Sequence, residues 1–145
     1  MSYFINPVDD AACVFLTHEG ELSLAEAETA CQEAARLLAE KRWTRMLVDV
    51  GAVRSIPKGL ELMALGEAMA QTLPRNAQLA LVVRTQQTKH ARLLEQVARK
   101  GGVFVTFFID AEKAEQWLSK PPPATRGGLS AARAIASTMA GSQNA

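Results

Sequence analysis

Met46-Leu47-Val48-Asp49-Val50 and Leu79-Ala80-Leu81-Val82-Val83 are the two runs whose reading decides the fold. Both are apolar almost throughout and shorter than an ordinary helix. A strand with one wet face alternates apolar and polar residues, whereas a nearly continuous apolar run fits a strand covered on both faces in a parallel sheet. Parallel neighbours need a crossover, and the intervening residues supply a helical one. Pro57 stands where a first helical turn tolerates a missing amide hydrogen. Leu62, Leu65, Met69 and Leu73 then recur at helical spacing, and Pro74 closes the segment. Gly66 is about 1 kcal/mol worse than alanine inside a helix, which predicts a close neighbour there.

Towards the N-terminus, Ser23-Leu24-Ala25-Glu26 has the spacing of a capping box. Leu24, Ala27, Cys31, Ala34, Ala35 and Leu38 form the apolar stripe of the helix that follows, opposite Glu26, Glu33, Arg36 and Glu40. Before it lie two strand-like runs, Tyr3–Ile5 and Ala11–Thr17. Asn6-Pro7 and Asp9-Asp10 between them are turn residues, so a hairpin is expected. Towards the C-terminus a third helix spans roughly Thr88–Lys100, with Leu93, Leu94, Val97 and Ala98 inward and Gly101-Gly102 as its stop. Val103–Ile109 reads as the last strand, and Asp110 caps a short helix containing Ala114, Trp117 and Leu118. The order β-β-α-β-α-β-α-β-α describes an α/β fold: a mixed, mostly parallel sheet with an opening β-hairpin and flanking helices. Residues 1–119 make up this unit. Pro121-Pro122-Pro123 ends it, and residues 120–145 read as a Pro/Ala-rich tail, mobile or weakly helical through Leu129, Ala132, Ile135, Ala136 and Met139.

Across 145 residues, 16 Lys+Arg face 15 Asp+Glu, leaving a formal charge of +1. That balance argues against a nucleic-acid partner, which would select a basic surface. No apolar run reaches the ~18 residues of a membrane span. The opening residues lack a basic, then apolar, secretory signal, so a cytoplasmic protein is expected. Cys13 and Cys31 stand apart without a Cys-x-x-Cys pair and read as buried reduced thiols. His18 and His90 are isolated from other ligand types, so neither a metal site nor a cofactor is expected.

The hairpin, the capped first helix, Leu47-Val48-Asp49-Val50 with Gly51-Ala52-Val53-Arg54-Ser55, and the ending Phe107-Phe108-Ile109-Asp110-Ala111-Glu112-Lys113-Ala114-Glu115-Gln116-Trp117-Leu118 together resemble the STAS family. Within it they are most similar to the SpoIIAA-like branch of sulphate-transporter and anti-sigma-factor antagonist domains. The resemblance covers residues 1–119. It implies a sheet of four or five strands and a non-enzymatic role, binding protein partners or, in some members, nucleotides or apolar ligands. Anti-sigma antagonists open the second helix with Asp-Ser-Ser-Gly-Leu, whose serine is phosphorylated. Matching Gly59-Leu60 to its end puts Ile56, Pro57 and Lys58 on the Asp-Ser-Ser positions. The phosphate acceptor is absent, and Ser55 lies nearby without matching the switch position.

Ligands of parallel sheets gather beyond the carboxyl ends of the strands. Two connections leave such ends here, Gly51–Lys58 and Arg84–Lys89. They offer Arg54, Ser55, Lys58, Arg84, Thr85, Thr88 and Lys89 as ligand-binding residues for a phosphate or carboxylate at helix N-termini. The same residues also suit ordinary solvated loop ends, and no Gly-rich phosphate loop reinforces the anion reading. Arg36, Lys41, Arg42 and Arg45, and equally Lys89, Arg92, Arg99 and Lys100, read as solvated basic faces. Ala64, Gly66 and Ala68 let the second helix sit tightly on the sheet or admit a partner.

Asp49 interrupts an apolar strand, where it is expected to accept amide hydrogens from the next loop, the alternative being a general base at the strand end. No histidine, serine elbow or second carboxylate completes a catalytic set around it, so no catalytic residue is assigned. The expected function is a non-enzymatic STAS-like interaction or ligand-binding module without the phosphorylatable serine. Its partner would be a protein or a small apolar or anionic ligand. Two alternatives stand beside it: an enzyme acting on an anionic small molecule at the basic loops, and a structural homodimer with the tail docked across subunits.

Overall fold

A computed structural model describes residues 2–120; the expectation for the tail concerns residues 120–145, all but the first of which lie outside them. The hairpin joins β1 (Ser2–Val8) to β2 (Cys13–Glu21). Then follow α1 (Leu24–Lys41), β3 (Arg45–Ser55), α2 (Leu60–Thr72), β4 (Gln78–Val82), α3 (Thr88–Lys100), β5 (Phe104–Phe108) and α4 (Ala111–Leu118). The strands form one sheet in the order β1-β2-β3-β4-β5, with β1 antiparallel to β2 and all other pairs parallel. This is the α/β architecture expected from the strand and helix order.

Each new strand is added on the same side of the last, so right-handed crossovers put α1, α2 and α3 on one face. Strand alternation then divides the core. Leu16, Met46, Val48, Leu79 and Leu81 pack under those three helices, whereas Leu47, Ala80 and Val82 point to the other face and meet Ala114 and Leu118 of α4. Among the described residues no helix is long and apolar enough to cross a membrane.

The caps explain where the helices begin. Ser23 accepts the Glu26 amide at 3.1 Å and the Glu26 carboxylate accepts the Ser23 amide at 3.3 Å, closing the capping box of α1. Asp110 accepts from the Glu112 amide at the start of α4. Gln78 works at the other end of α4, its buried amide donating to the carbonyls of Trp117 and Lys120.

Three local expectations change. Asn6-Pro7 does not turn the chain but continues β1, with Pro7 opposite Val14. An edge strand tolerates a residue without an amide hydrogen, and the reversal falls on Asp9–Ala11 with Ala12 at φ 50°. Pro57 lies ahead of α2 rather than in its first turn, because Gly59 at φ 58° breaks the chain direction before Leu60. Gly51–Ser55 is strand, not loop. β2 runs on to Glu21, and its Glu19, Gly20 and Glu21 sit opposite Ala52, Val53 and Ser55.

Candidate functional site

β3 outlasts its neighbour. β4 pairs with it only as far as Asp49–Val82, so the carbonyls from Val50 onward on that side lack a strand to bond to. Side chains from the turn after β4 take over. Gln87 donates its amide to Val50 O at 3.0 Å and Val53 O at 3.3 Å, and its Oε1 accepts the Arg84 amide at 2.8 Å. Arg84 donates a guanidinium N–H to Gly51 O. Asp49 accepts the Gly51 amide at 2.9 Å, serving the strand itself. Nothing in the sequence marks Gln87 for this role. A neutral amide in a polar turn has no distinguishing pattern, and only its burial against an unpaired strand end reveals its use.

Beneath this strand end lies a cavity of about 80 Å³ between the sheet and α1–α3. Leu16, Met46, Cys31, Leu65, Met69 and Leu94 line its apolar walls, and half-buried Leu22, Ile56 and His90 stand at its margin. His18 of β2 is on the wall, only 4% exposed, with its ring 5.8 Å from that of Tyr3. Its imidazole makes no hydrogen bond to another described residue. Burial pushes its pKa below the usual value, with the Glu26 carboxylate acting weakly in the opposite sense. Burial likewise pushes the Cys31 thiol up to about 11 and, on the opposite sheet face, the Cys13 thiol up to about 12.

The cavity's margin continues into a shallow polar groove. Arg54 and Ser55, from the extended end of β3, line it together with Ile56 and Pro57, but so do Glu19, Glu21, Glu26 and Glu61. Thr88 and Lys89 line a separate depression with Arg92, Leu93 and Gln96 on α3. Lys58 is exposed ahead of α2, and exposed Thr85 turns its carbonyl to the Thr88 hydroxyl at 2.9 Å. The seven expected residues thus occupy several places: a mostly acidic groove, a helix face, and the strand-end bonds of Arg84.

Two of the other basic residues have structural partners as well. Arg99 donates to Val105 O at 2.8 Å and to Thr106 Oγ1 at 2.7 Å, tying α3 to the edge strand β5. Lys41 pairs with Asp9 at 3.1 Å and lies over the Trp43 ring. Among the described residues no group of three or more His, Cys, Asp or Glu is placed to hold a metal ion.

The same end of the molecule carries exposed apolar surface. Leu60, in the first turn of α2, is 82% exposed, and Met63 one turn later is 39% exposed. On the positions matched to the phospho-acceptor motif, Ile56 and Pro57 face the cavity.

Comparison with solved structures gives a fold. The chain is similar to an anti-sigma factor antagonist from Mycobacterium paratuberculosis, with a TM-score of 0.58 and 15% sequence identity, covering 82% of this chain and 94% of that one. The fold is therefore STAS-like, of the SpoIIAA type. No family model matches the sequence, and no curated protein matches it either.

Proposed function

We propose that this chain is a non-enzymatic STAS-like recognition module that grips a protein partner with the first turns of α2. The observation that carries the reading is Leu60, the most exposed large apolar side chain among the described residues, with Met63 one turn along the same helix. Leucine and methionine at i and i+3 share a helix face, and an apolar pair on a helix end beside charged side chains suits a modest protein interface. Lys58 precedes the pair in sequence and Glu61 lies between its two members, and both supply such a rim. The solved neighbour is itself named for antagonising another protein. Regulation by phosphorylation at the motif positions has no acceptor here, since Ile56, Pro57 and Lys58 lack a hydroxyl.

The test is a photo-crosslinking residue at Met63 in cells that make this protein, with and without Leu60→Asp. A partner captured in fixed stoichiometry and lost in the folded Leu60→Asp variant is the expected result. Capture indifferent to Leu60, or steady turnover of a phosphorylated or carboxylated substrate by the purified chain, overturns the reading.

A further inference from the structure

The cavity over the sheet poses a separate question: what fills it. Its 80 Å³ exceeds the ~10–15 Å³ that admits a water, yet a water needs two to four polar partners. Gln87 has committed both ends of its amide to Val50, Val53 and Arg84. The other deeply buried polar side chain on the wall is His18, which makes no hydrogen bond to another described residue. His90, the second imidazole of the lining, is half-buried at the margin, and around buried His18 the leucines and methionines of the wall hold water poorly. The cavity suits a molecule that is apolar except at one atom.

From this we infer that the cavity binds a small neutral amphiphile, its apolar body between Met46, Met69 and Leu94 and its single hydroxyl or carbonyl on His18. A neutral imidazole has one donor and one acceptor nitrogen, so it serves either head group. Its lowered pKa keeps it in that form near neutrality. Size and charge narrow the class further. A cavity of ~150 Å³ takes benzene, and two unbranched methionines in the wall supply the give that a smaller one needs. An anionic head is disfavoured twice, by desolvation inside and by Glu19, Glu21, Glu26 and Glu61 in the groove outside. This inference stands apart from protein recognition by Leu60, and either can fail without the other.

The experiment titrates the full chain, labelled at its methyl groups, with benzyl alcohol, toluene and benzoate, and follows the NMR signals of Met69, Leu94 and Ile56. Benzyl alcohol and toluene shift these signals saturably, and benzoate binds at least about tenfold more weakly than benzyl alcohol. His18→Leu weakens benzyl alcohol about fivefold, the loss of one hydrogen bond, and leaves toluene as tight or tighter. His18→Gln, which keeps a polar head partner, retains most of the alcohol binding and serves should His18→Leu not fold. Cys31→Leu fills the space and weakens both neutral probes more than about tenfold. Unshifted cavity signals at saturating probe, equal effects of His18→Leu on alcohol and hydrocarbon, or benzoate bound as well as the alcohol would each overturn the inference.

Discussion

His18 places a titratable ring among apolar side chains, and the sign of its effect on stability can be worked out. Burial disfavours the imidazolium, so the folded pKa lies below the ordinary 6.5 of the unfolded chain. Above that value both states are neutral and His18 makes no difference. As pH falls through it, the unfolded chain takes up a proton that the folded chain refuses. Stability therefore declines with falling pH until the folded pKa is reached, then levels. Urea unfolding between about pH 7 and pH 5 should show this decline, and His18→Gln should remove His18's share of it. An identical pH profile in the variant would contradict a buried neutral imidazole. Gln87 teaches a related lesson at the same scale. It stands in for a missing strand, and nothing in its neighbours Gln86 and Thr88 marks it for that work.

The seam between α2 and α3 explains Gly66. A Cβ there would lie 2.8 Å from Val97 Cγ1, and one added at Gly101 would lie 2.2 Å from Ala70 Cβ. The two helices run parallel and touch along that line, so the close neighbour of Gly66 is a helix, not the sheet or a partner. Gly66→Ala gains up to ~1 kcal/mol of helix propensity but overpacks by ~1–3 kcal/mol. Net destabilisation of about 1 kcal/mol is expected, and Val97→Ala in the same chain should relieve most of the overpacking. A double-mutant cycle by denaturant unfolding with zero coupling would show that the seam is looser than described.

Elements of this kind were legible because their signals are local: Thr88–Lys100 ends where Gly101-Gly102 stop it, and α1 begins where Ser23 and Glu26 cap it. Strand ends were not. Whether Gly51–Ser55 continues β3 depends on how far β2 runs beside it, and Pro7 stays in β1 because only one side of that strand needs its amides. The seven candidate ligand residues inherit that difficulty. Their grouping assumed loops at Arg54 and Ser55, where the chain is still strand and faces four glutamates.

At the scale of the whole molecule the two faces of the sheet are unequally covered. Among the described residues three helices seal one face, while α4 covers the other with Ala114, Leu118 and half-buried Trp117, and Phe4 on β1 is 61% exposed. Detaching α4 exposes roughly two to three side chains' worth of apolar surface, on the order of 3–5 kcal/mol, well short of melting the larger core. Each layer contains one thiol. Cys13 lies beside Leu118 under α4, and Cys31 is a buried residue of α1 within the three-helix layer. Both are free and buried, with pKa values raised by burial to about 12 and about 11, so neither reacts readily in the closed state. A bulky aromatic disulfide reagent exceeds the cavity and must wait for an opening. Cys13 needs only α4 to lift; Cys31 needs the helix layer itself to come away. In the Cys31→Ser chain, Cys13 should react through a partial opening whose rate is insensitive to low denaturant. In the Cys13→Ser chain, Cys31 should react more slowly and speed up steeply with denaturant, as exposure of the whole core requires. Trp117→Ala should accelerate only the first. Equal rates and equal denaturant slopes at the two thiols would mean that α4 and the three-helix layer open as one cooperative unit.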